Sequence, residues 1–600
     1  MVAPIPPEPA SSRSDTPIPF ASLDQKMTAS GSPFETHKVT VGTREITTWI
    51  STLPNMRAIL ENSRQFSERD YLIYREERLT YAEHYLRAAE LATLMRERFD
   101  IKKGDRVALA MRNYPEWPIV FWATVSIGAI IVPLNAWLSA RELRYALEDS
   151  GAQLLFADAE REALLRDSLH QLPSLSTTVV VRAEQAIVRT ERTAGHAIQV
   201  LNWPDLFSEQ GVERSADELP ECSIDADDDA AIFYTSGTTG KPKGALLTHR
   251  NICSNQITGT YIRARTELRY GREPKAPTMQ LGTLISVPLF HVTGSLSMLC
   301  GGTIQGSKLV FMHKWDADQA IQLIEQEGLT AFGGVPSMPL QVLESPIFAD
   351  HDTSSIIAVI YGGAPPSPEL AQRIKKAFPN SSASNGYGLT ETSGVATVNV
   401  AEDYLARPKS AGTPAPVTEL RIVNGDIGAD LKVSHENERL NQKKIGEIWV
   451  KGPQVFKGYW NNPKATAEAI TEGWLHTGDL GYRDSDGFLY VVDRAKDMLL
   501  RGGENIYCIE VENALYTHPA VLDAAVVGSP HPTLGETVVA MVQLKPGADT
   551  TEAALRGHVA NQIAKFKTPE RIDFNDSPLP RNANGKILKT EIKTLMGLGN

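Results

Sequence analysis

From Tyr234 to Gly244 the chain reads YTSGTTGKPKG, directly after the apolar run AAIF, with three glycines, two lysines and five hydroxylated side chains in eleven positions. Such a loop suits a polyanion: glycines let the backbone approach, hydroxyls donate to phosphate oxygens and ammonium groups offset charge. It is not the common Walker loop, which needs four residues between its glycines and a Ser or Thr after the lysine. Here two residues separate Gly237 from Gly240, and Pro242, with no N–H to donate, follows Lys241. What remains is a loop after a strand, presenting Thr235, Ser236, Thr238, Thr239, Lys241 and Lys243 with backbone exposed at Gly237 and Gly240. Taken alone it is equally well a solvated turn.

Further polar blocks follow in order: YGGAPPSPEL (361–370), SNGYGLTET (384–392), GWLHTGDLGY (473–482), YVVDRAKDMLLRGGENI (490–506) and LPRNANGKILK (579–589). Each has a plain reading in isolation, Thr390-Glu391 as a helix cap, TGD as a turn and Lys586 as a solvated lysine. DSDG (484–487) invites a calcium reading, but setting Gly487 at the sixth loop position puts Tyr482 at the first and Asp493 at the twelfth, so a tight hairpin turn is expected.

Together, over roughly Leu79 to Lys589, the six blocks resemble the adenylate-forming superfamily, which includes acyl-CoA synthetases, peptide-synthetase adenylation domains and firefly-type luciferases. The resemblance implies two half-reactions: a carboxylate and ATP give an acyl-adenylate and pyrophosphate, then a thiol displaces AMP. By resemblance, Thr235 to Gly244 (Thr235, Ser236, Gly237, Thr238, Thr239, Gly240, Lys241 and Lys243) hold the β- and γ-phosphates. Gly363, Ala364 and Pro365 line the adenine, Tyr387 stacks on it, Asn385 or Gly386 reads its amino edge, and Gly388 shares the nucleotide site. Thr390 contacts the α-phosphate and Glu391 holds Mg²⁺, a hard cation suited to oxygen ligands. Asp479 and Arg494 take the ribose hydroxyls, and Lys586 is the catalytic lysine at the concentrating negative charge. Lys496 is the hinge about which a small domain turns, and Gly502, Gly503 and Glu504 form the loop that swings in for thioester formation. His291, in VPLFHVTG, falls beside the acyl tunnel, with a satisfied buried histidine as the plain alternative, and GGVPSMPLQVL (333–343) resembles the tunnel wall. Two departures stand out: Cys508 where proline is usual and Arg501 where serine or lysine often sits. Lys565, Lys567 and Arg571 suit either CoA phosphates or plain solvation.

Positioning these groups requires a scaffold. Runs such as DRVALAM, AIIVPL, QLLFAD, TTVVVR, AIFYTS, LISVPLF, SKLVFM, LTAFGGV and IIAVIYGG, separated by helix-length stretches such as Arg141 to Leu147 and Trp315 to Glu327, predict an α/β architecture with parallel sheets. After about residue 405 the texture shifts to short strands, ELRIVN, GEIWVKG and GFLYVVD, as in a small antiparallel sheet or barrel, with 425–444 an exposed insertion. The expected fold is a large α/β domain of two doubly wound subdomains plus a small β-barrel, followed by a mobile small α+β domain. The divisions are 1–30 as a disordered tail, 31–495 as the large domain and 497–600 as the lid, with Lys496 between.

Composition narrows the function. The 600 residues are 42% hydrophobic and 22% charged, a globular balance, and the formal charge of −12 argues against nucleic-acid binding. Four separated cysteines without a C-x-x-C pair support neither a disulfide framework nor a zinc site. Pro118 to Leu138 carries no charge over a membrane-spanning length, but Gly128, Pro133 and Asn135 punctuate it, so a buried helix followed by a strand is expected, with peripheral membrane contact the lesser reading. The N-terminus lacks a secretory layout and Leu598-Gly599-Asn600 is not a peroxisomal tail, which makes the cytoplasm the default. The expected activity is an ATP-, Mg²⁺- and CoA-dependent ligase for a medium- or long-chain fatty acid, with an aryl acid also open. Rival readings are an adenylating enzyme that loads an acyl-carrier protein, a luciferase-like oxygenase and a non-catalytic nucleotide-binding protein.

Overall fold

The computed structural model describes residues 17–185, 187–193, 196–207, 217–235, 241–363, 369–423, 445–502, 504–582 and 587–598. The insertion read at 425–444 therefore lies outside the described residues. Two nine-stranded sheets form the large α/β body. In the first the order runs from Gly458–Tyr459 through Lys243–Thr248, Asp229–Thr235, Ile130–Pro133, Arg106–Ala110, Leu154–Asp158, Thr177–Val181 and His196–Asn202 to Arg189–Thr193. In the second, Ser382–Tyr387, Ala358–Gly362, Ala331–Gly334, Gly282–Ile285, Lys308–Phe311 and Asp70–Tyr74 run parallel, flanked by antiparallel edges. Near-continuous apolar strands such as LLFAD are buried along their whole length, as a sheet covered on both faces requires.

The uncharged stretch at Pro118 resolves as expected. Helix Glu116–Ser126 is buried throughout, Gly128 turns the chain at φ +71°, and Ile130–Pro133 enters the sheet. Among the described residues no helix is long and apolar enough to cross a membrane. The N-terminal expectation is corrected. A disordered tail reaching residue 30 does not describe residues 17–30, because Phe20–Met27 is helical with Leu23 and Met27 buried. Helix His249–Arg269 holds it: Arg269 lies 3.9 Å from the Phe20 ring centroid, and Asp24 accepts from the Tyr261 hydroxyl and pairs with Arg265.

A third, five-stranded sheet carries Glu419–Val423, Gly446–Lys451, Trp474–Arg483, Ile470–Thr471 and Leu489–Arg494. DSDG is the hairpin turn within it, with Gly487 at φ +85° and the Asp484 N–H donating to the Phe488 carbonyl at 3.0 Å. After Arg494 an exposed turn containing Lys496 leads to Leu499–Arg501, the first strand of a C-terminal five-stranded sheet. That sheet packs helix Cys508–Tyr516 over its own apolar core of Val511, Leu515, Val526 and Val542. The C-terminal sheet is thus mixed, with Arg571–Phe574 parallel to Gly535–Leu544.

Candidate active site

The site is assembled around one short segment, Tyr387 to Glu391, at the end of strand Ser382–Tyr387. Gly388 is glycine for a steric reason: a Cβ there would lie 1.8 Å from the Gly394 carbonyl oxygen, so the absent side chain lets the next turn fold back. That turn is the three-residue helix Thr390–Thr392, closed by Ser393 at φ +54°, whose hydroxyl donates to the Gln454 carbonyl at 2.9 Å.

Two chains of contact leave this segment. In the first, the Tyr387 hydroxyl donates to Asp479 Oδ2 at 2.8 Å, and Arg494 Nε lies 3.1 Å from Asp479 Oδ1. Asp479 and Arg494 are cross-strand partners on Trp474–Arg483 and Leu489–Arg494, so pairing register alone sets them face to face. Burial and the neighbouring Asp479 carboxylate push the Tyr387 phenol well above its usual range, which keeps it a proton donor. In the second chain, Glu391 Oε1 accepts from the Tyr459 hydroxyl at 2.8 Å, and Lys243 Nζ stands 5.1 Å from the Tyr459 ring centroid. Burial and the Glu391 carboxylate likewise hold the Tyr459 phenol protonated.

The anion loop joins two antiparallel strands, Asp229–Thr235 and Lys243–Thr248, instead of opening a helix. Thr235 Oγ1 lies 3.4 Å from the Lys243 carbonyl at the base of this hairpin, and Lys241 Nζ stands 5.5 Å from the Tyr145 ring centroid. Ser236, Gly237, Thr238, Thr239 and Gly240 lie outside the described residues, as do Ala364, Pro365, Gly503 and Lys586. Gly363 is exposed at φ +77°, and a Cβ there would meet no atom of the described residues within 4 Å, at the place where a flat base is expected. Asn385 is buried with Nδ2 3.5 Å from the Ser410 carbonyl, and Gly386 points to the opposite face.

Other expected residues stand apart from this cluster. Gly502 donates its N–H to the Leu534 carbonyl at 2.8 Å, and Glu504 is exposed on the following strand. Lys567 pairs with Glu510 at 2.6 Å and Arg571 with Asp573, so two of the three basic residues weighed for CoA already have carboxylate partners. Lys496 is exposed in the turn between the two small sheets.

The residues expected beside the acyl tunnel have their own geometry. His291 is half-buried against Phe290, with ring centroids 4.8 Å apart, and its buried Nε2 has no partner among the described residues. Burial lowers it to about 3, so the imidazole is neutral at physiological pH. Asn113 pins the preceding loop through the Val287 carbonyl at 3.1 Å and the Leu289 N–H at 2.9 Å. Ile360 occupies a central strand yet is 51% exposed, so its face of the sheet is open there. Gly333, opposite it, serves packing as well as space: a Cβ would lie 1.6 Å from the Ile360 carbonyl oxygen.

Sequence reading missed Tyr459 and the strand Lys243–Thr248. The signal for the strand was GALLT after the lysines. Tyr459 lies in a two-residue strand and left no periodic signal.

Comparison with known proteins identifies the family. The family model described as AMP-binding enzyme matches residues 59–460, and that described as AMP-binding enzyme C-terminal domain matches 510–586. A feruloyl-CoA synthase of Amycolatopsis sp is 35% identical over 523 residues, covering 86% of this chain and 94% of that protein. A long-chain-fatty-acid–CoA ligase of Bacillus subtilis (strain 168) is 32% identical over 562 residues, covering 90% and 94%. Among solved structures, ATP-bound MatB from Rhodopseudomonas palustris superposes with a TM-score of 0.75 at 27% identity, covering 90% of this chain and 99% of that one. An anthranilate CoA ligase in complex with anthranoyl-AMP gives 0.76 at 24% identity, covering 91% and 98%, which speaks to the fold. The chain belongs to the AMP-binding enzymes, the adenylate-forming superfamily. Within that family it is an AMP-forming acid–thiol ligase; ATP and CoA are the co-substrates of the class and Mg²⁺ its usual metal.

Proposed function

We propose that the chain activates an apolar carboxylic acid, first among them a medium- or long-chain fatty acid, as its acyl-adenylate and then transfers the acyl group to CoA. The observation that carries the site is the pair of contact chains leaving Tyr387–Glu391. One presents a buried carboxylate with an arginine beside it, suited to ribose hydroxyls; the other presents a carboxylate and a lysine, suited to phosphates and a cation.

The donor set fits Mg²⁺. No cluster of three or more His, Cys, Asp or Glu able to hold a metal occurs among the described residues, and Glu391 Oε2 has no hydrogen-bond partner among them. A cation held by one carboxylate, with phosphate oxygens and water completing its shell, is the arrangement magnesium favours over an all-protein cage. When bound, it would neutralise phosphate charge. Lys241, Lys243 and the loop hydroxyls then hold the leaving pyrophosphate, Thr390 meets the α-phosphate, and Asp479 and Arg494 orient the ribose. The Lys586 ammonium steadies the negative charge shared by the attacking carboxylate and the α-phosphate. Rotation at Lys496 would withdraw Lys586 and bring Gly502, Gly503 and Glu504 to the thiol step. The domain division at Lys496 is part of the same proposal, supported by the separate cores on either side of it.

The open face at Ile360, the apolar Met338 against Gly334 on the adjacent strand, and the neutral His291 support an apolar acid. An aryl acid is the second reading, favoured by the 35% identity to a feruloyl-CoA synthase. Acid-dependent ATP–pyrophosphate exchange across fatty and aryl acids, followed by CoA addition, tests both. Exchange with fatty acids and appearance of acyl-CoA, both lost in Lys586→Ala, is the expected result. Preference for hydroxycinnamic acids would select the aryl reading, and acylation of a carrier protein without acyl-CoA would overturn the acceptor.

A further inference from the structure

Glu391 sits on a helical turn of only three residues, too short to fix a side chain by its own hydrogen bonds. The segment Phe456–Tyr459 grips it twice. The Phe456 N–H donates to the Glu391 carbonyl at 2.9 Å, and the Tyr459 hydroxyl donates to Glu391 Oε1 at 2.8 Å. An ionised carboxylate only accepts, so the phenol hydrogen must point at Oε1, leaving Oε2 as the oxygen with lone pairs to spare.

Tyr459 is itself held firmly. Its backbone pairs with Ala245 on the strand that leaves the anion loop, and its N–H donates to Thr466 Oγ1 at 2.8 Å. Phe456 packs edge-on against its ring at 4.9 Å between centroids. The neighbouring Gly458 is so tightly covered that a Cβ would lie 2.6 Å from Thr466 Cγ2. On the ring face stands the Lys243 ammonium, at 5.1 Å from the centroid, in reach of a cation–π attraction. One side chain therefore touches both the lysine that follows the anion loop and the carboxylate that would meet the cation.

We propose that Tyr459 is a positioning residue of the adenylation step: its hydroxyl fixes Glu391 so that Oε2 faces the cation, and its ring holds Lys243 at the phosphate side of the same site. The inference rests on the reading of Glu391 as the metal-facing carboxylate. Tyr459→Phe keeps the ring, the lysine contact and the packing while deleting the one hydrogen bond to the carboxylate.

The test is Mn²⁺ retention by the enzyme–ATP complex without acid, followed by the electron paramagnetic resonance signal of free Mn²⁺. Tyr459→Phe is expected to weaken retention about tenfold, the usual effect of removing an outer partner from a metal-binding carboxylate. Its unfolding temperature should stay within about 3 °C of the parent protein. Glu391→Gln should lose retention, and adding Tyr459→Phe to it should cost nothing further, since both remove the same device. Unchanged retention in Tyr459→Phe alongside a loss in Glu391→Gln would overturn the role of Tyr459 and leave the Glu391 reading standing. Unchanged retention in both would overturn the Glu391 reading itself. A fall in unfolding temperature well beyond that margin would assign the contact to the fold and overturn the inference.

Discussion

Asp479 and Asp493 stand on paired strands of one sheet, in adjacent rungs, and both are buried, at 5% and 2% exposure. Asp479 faces a guanidinium and a phenol, Arg494 at 3.1 Å and Tyr387 at 2.8 Å. Among the described residues Asp493 has no such hydrogen-bond partner. Its oxygens accept backbone N–H groups, Arg494 at 2.7 Å and Cys508 at 2.5 Å, the latter at the start of helix Cys508–Tyr516 beyond the proposed hinge. Strand alternation sends Arg494 to one face and Asp493 to the other, so consecutive residues address the proposed nucleotide site and the proposed small domain. Burial pushes Asp493 up to about 6, against the pull of the nearby Lys589, while Glu512 and Asp497 add to the push. On the proposed reading of the site, the same residue type becomes a ligand-facing group or an internal tether according to whether its partners are side-chain donors or amides.

The largest effect that would break this contrast belongs to Asp479→Asn. The amide can accept with only one atom, so it strands Arg494 or Tyr387 and cannot serve both ribose hydroxyls of the proposed site; each lost bond to a charged acceptor is worth about 1.5–3 kcal/mol. Acid-dependent ATP–pyrophosphate exchange should fall by roughly 100-fold or more with the fold intact. A loss under about threefold would mean that Asp479 serves the fold, as the Asp493 tether does.

How much of this was legible beforehand divides along the same line. The parallel strands announced themselves because strands buried on both faces must be continuously apolar, as in LLFAD and TTVVV. Asp479 and Arg494 were legible only through motif resemblance; their meeting depends on the pairing of two strands, which no local pattern encodes. The return strand Lys243–Thr248 was hidden because its first residues belong to the anion loop, and its pairing with Asp229–Thr235 is a tertiary choice. Helix Phe20–Met27 has weak local signals after a proline-rich start and gains its order from Arg265 and Arg269, more than 200 residues away. The Tyr459–Glu391 contact likewise joins segments 68 residues apart, and the Asp493 tether, though it spans only 15 residues, depends on how a strand end and a helix start meet in space.

A smaller effect sharpens the second half of the contrast. A folded-state value of about 6, above the unstructured value of 3.8, means the native protein binds the proton more tightly than the unfolded chain. The stability from this group is therefore complete below about pH 4 and is lost as pH rises through about 6. Between pH 5 and pH 7.5 the loss is about 1.4 kcal/mol from Asp493 alone. Denaturant midpoints of Asp493→Asn should lack this component of the slope, whereas Asp479→Asn should retain it. Parallel pH slopes in the parent protein and Asp493→Asn would show that the buried carboxylate does not titrate across this interval.

The finest test acts on the tether from its far end. Cys508 is the first residue of helix Cys508–Tyr516, a position where proline is well tolerated because its N–H has no partner inside the helix. Here that N–H does have a partner, the Asp493 carboxylate, and proline is the residue usual at this place in the resembling family. Cys508→Pro would therefore remove one donor from a charged acceptor while leaving the helix able to start. The thiol goes with it, and its bond to the Asp497 carbonyl at 3.0 Å is a weak one. Stability should fall by about 1 kcal/mol at pH 7.5, where Asp493 is ionised, and by less at pH 5, where a neutral carboxyl accepts a weaker bond. The same loss at both pH values would assign the effect to packing of the thiol. A loss that grows toward pH 7.5 would show that the amide of one domain holds the carboxylate of the other, a restraint that the proline at this position would not supply.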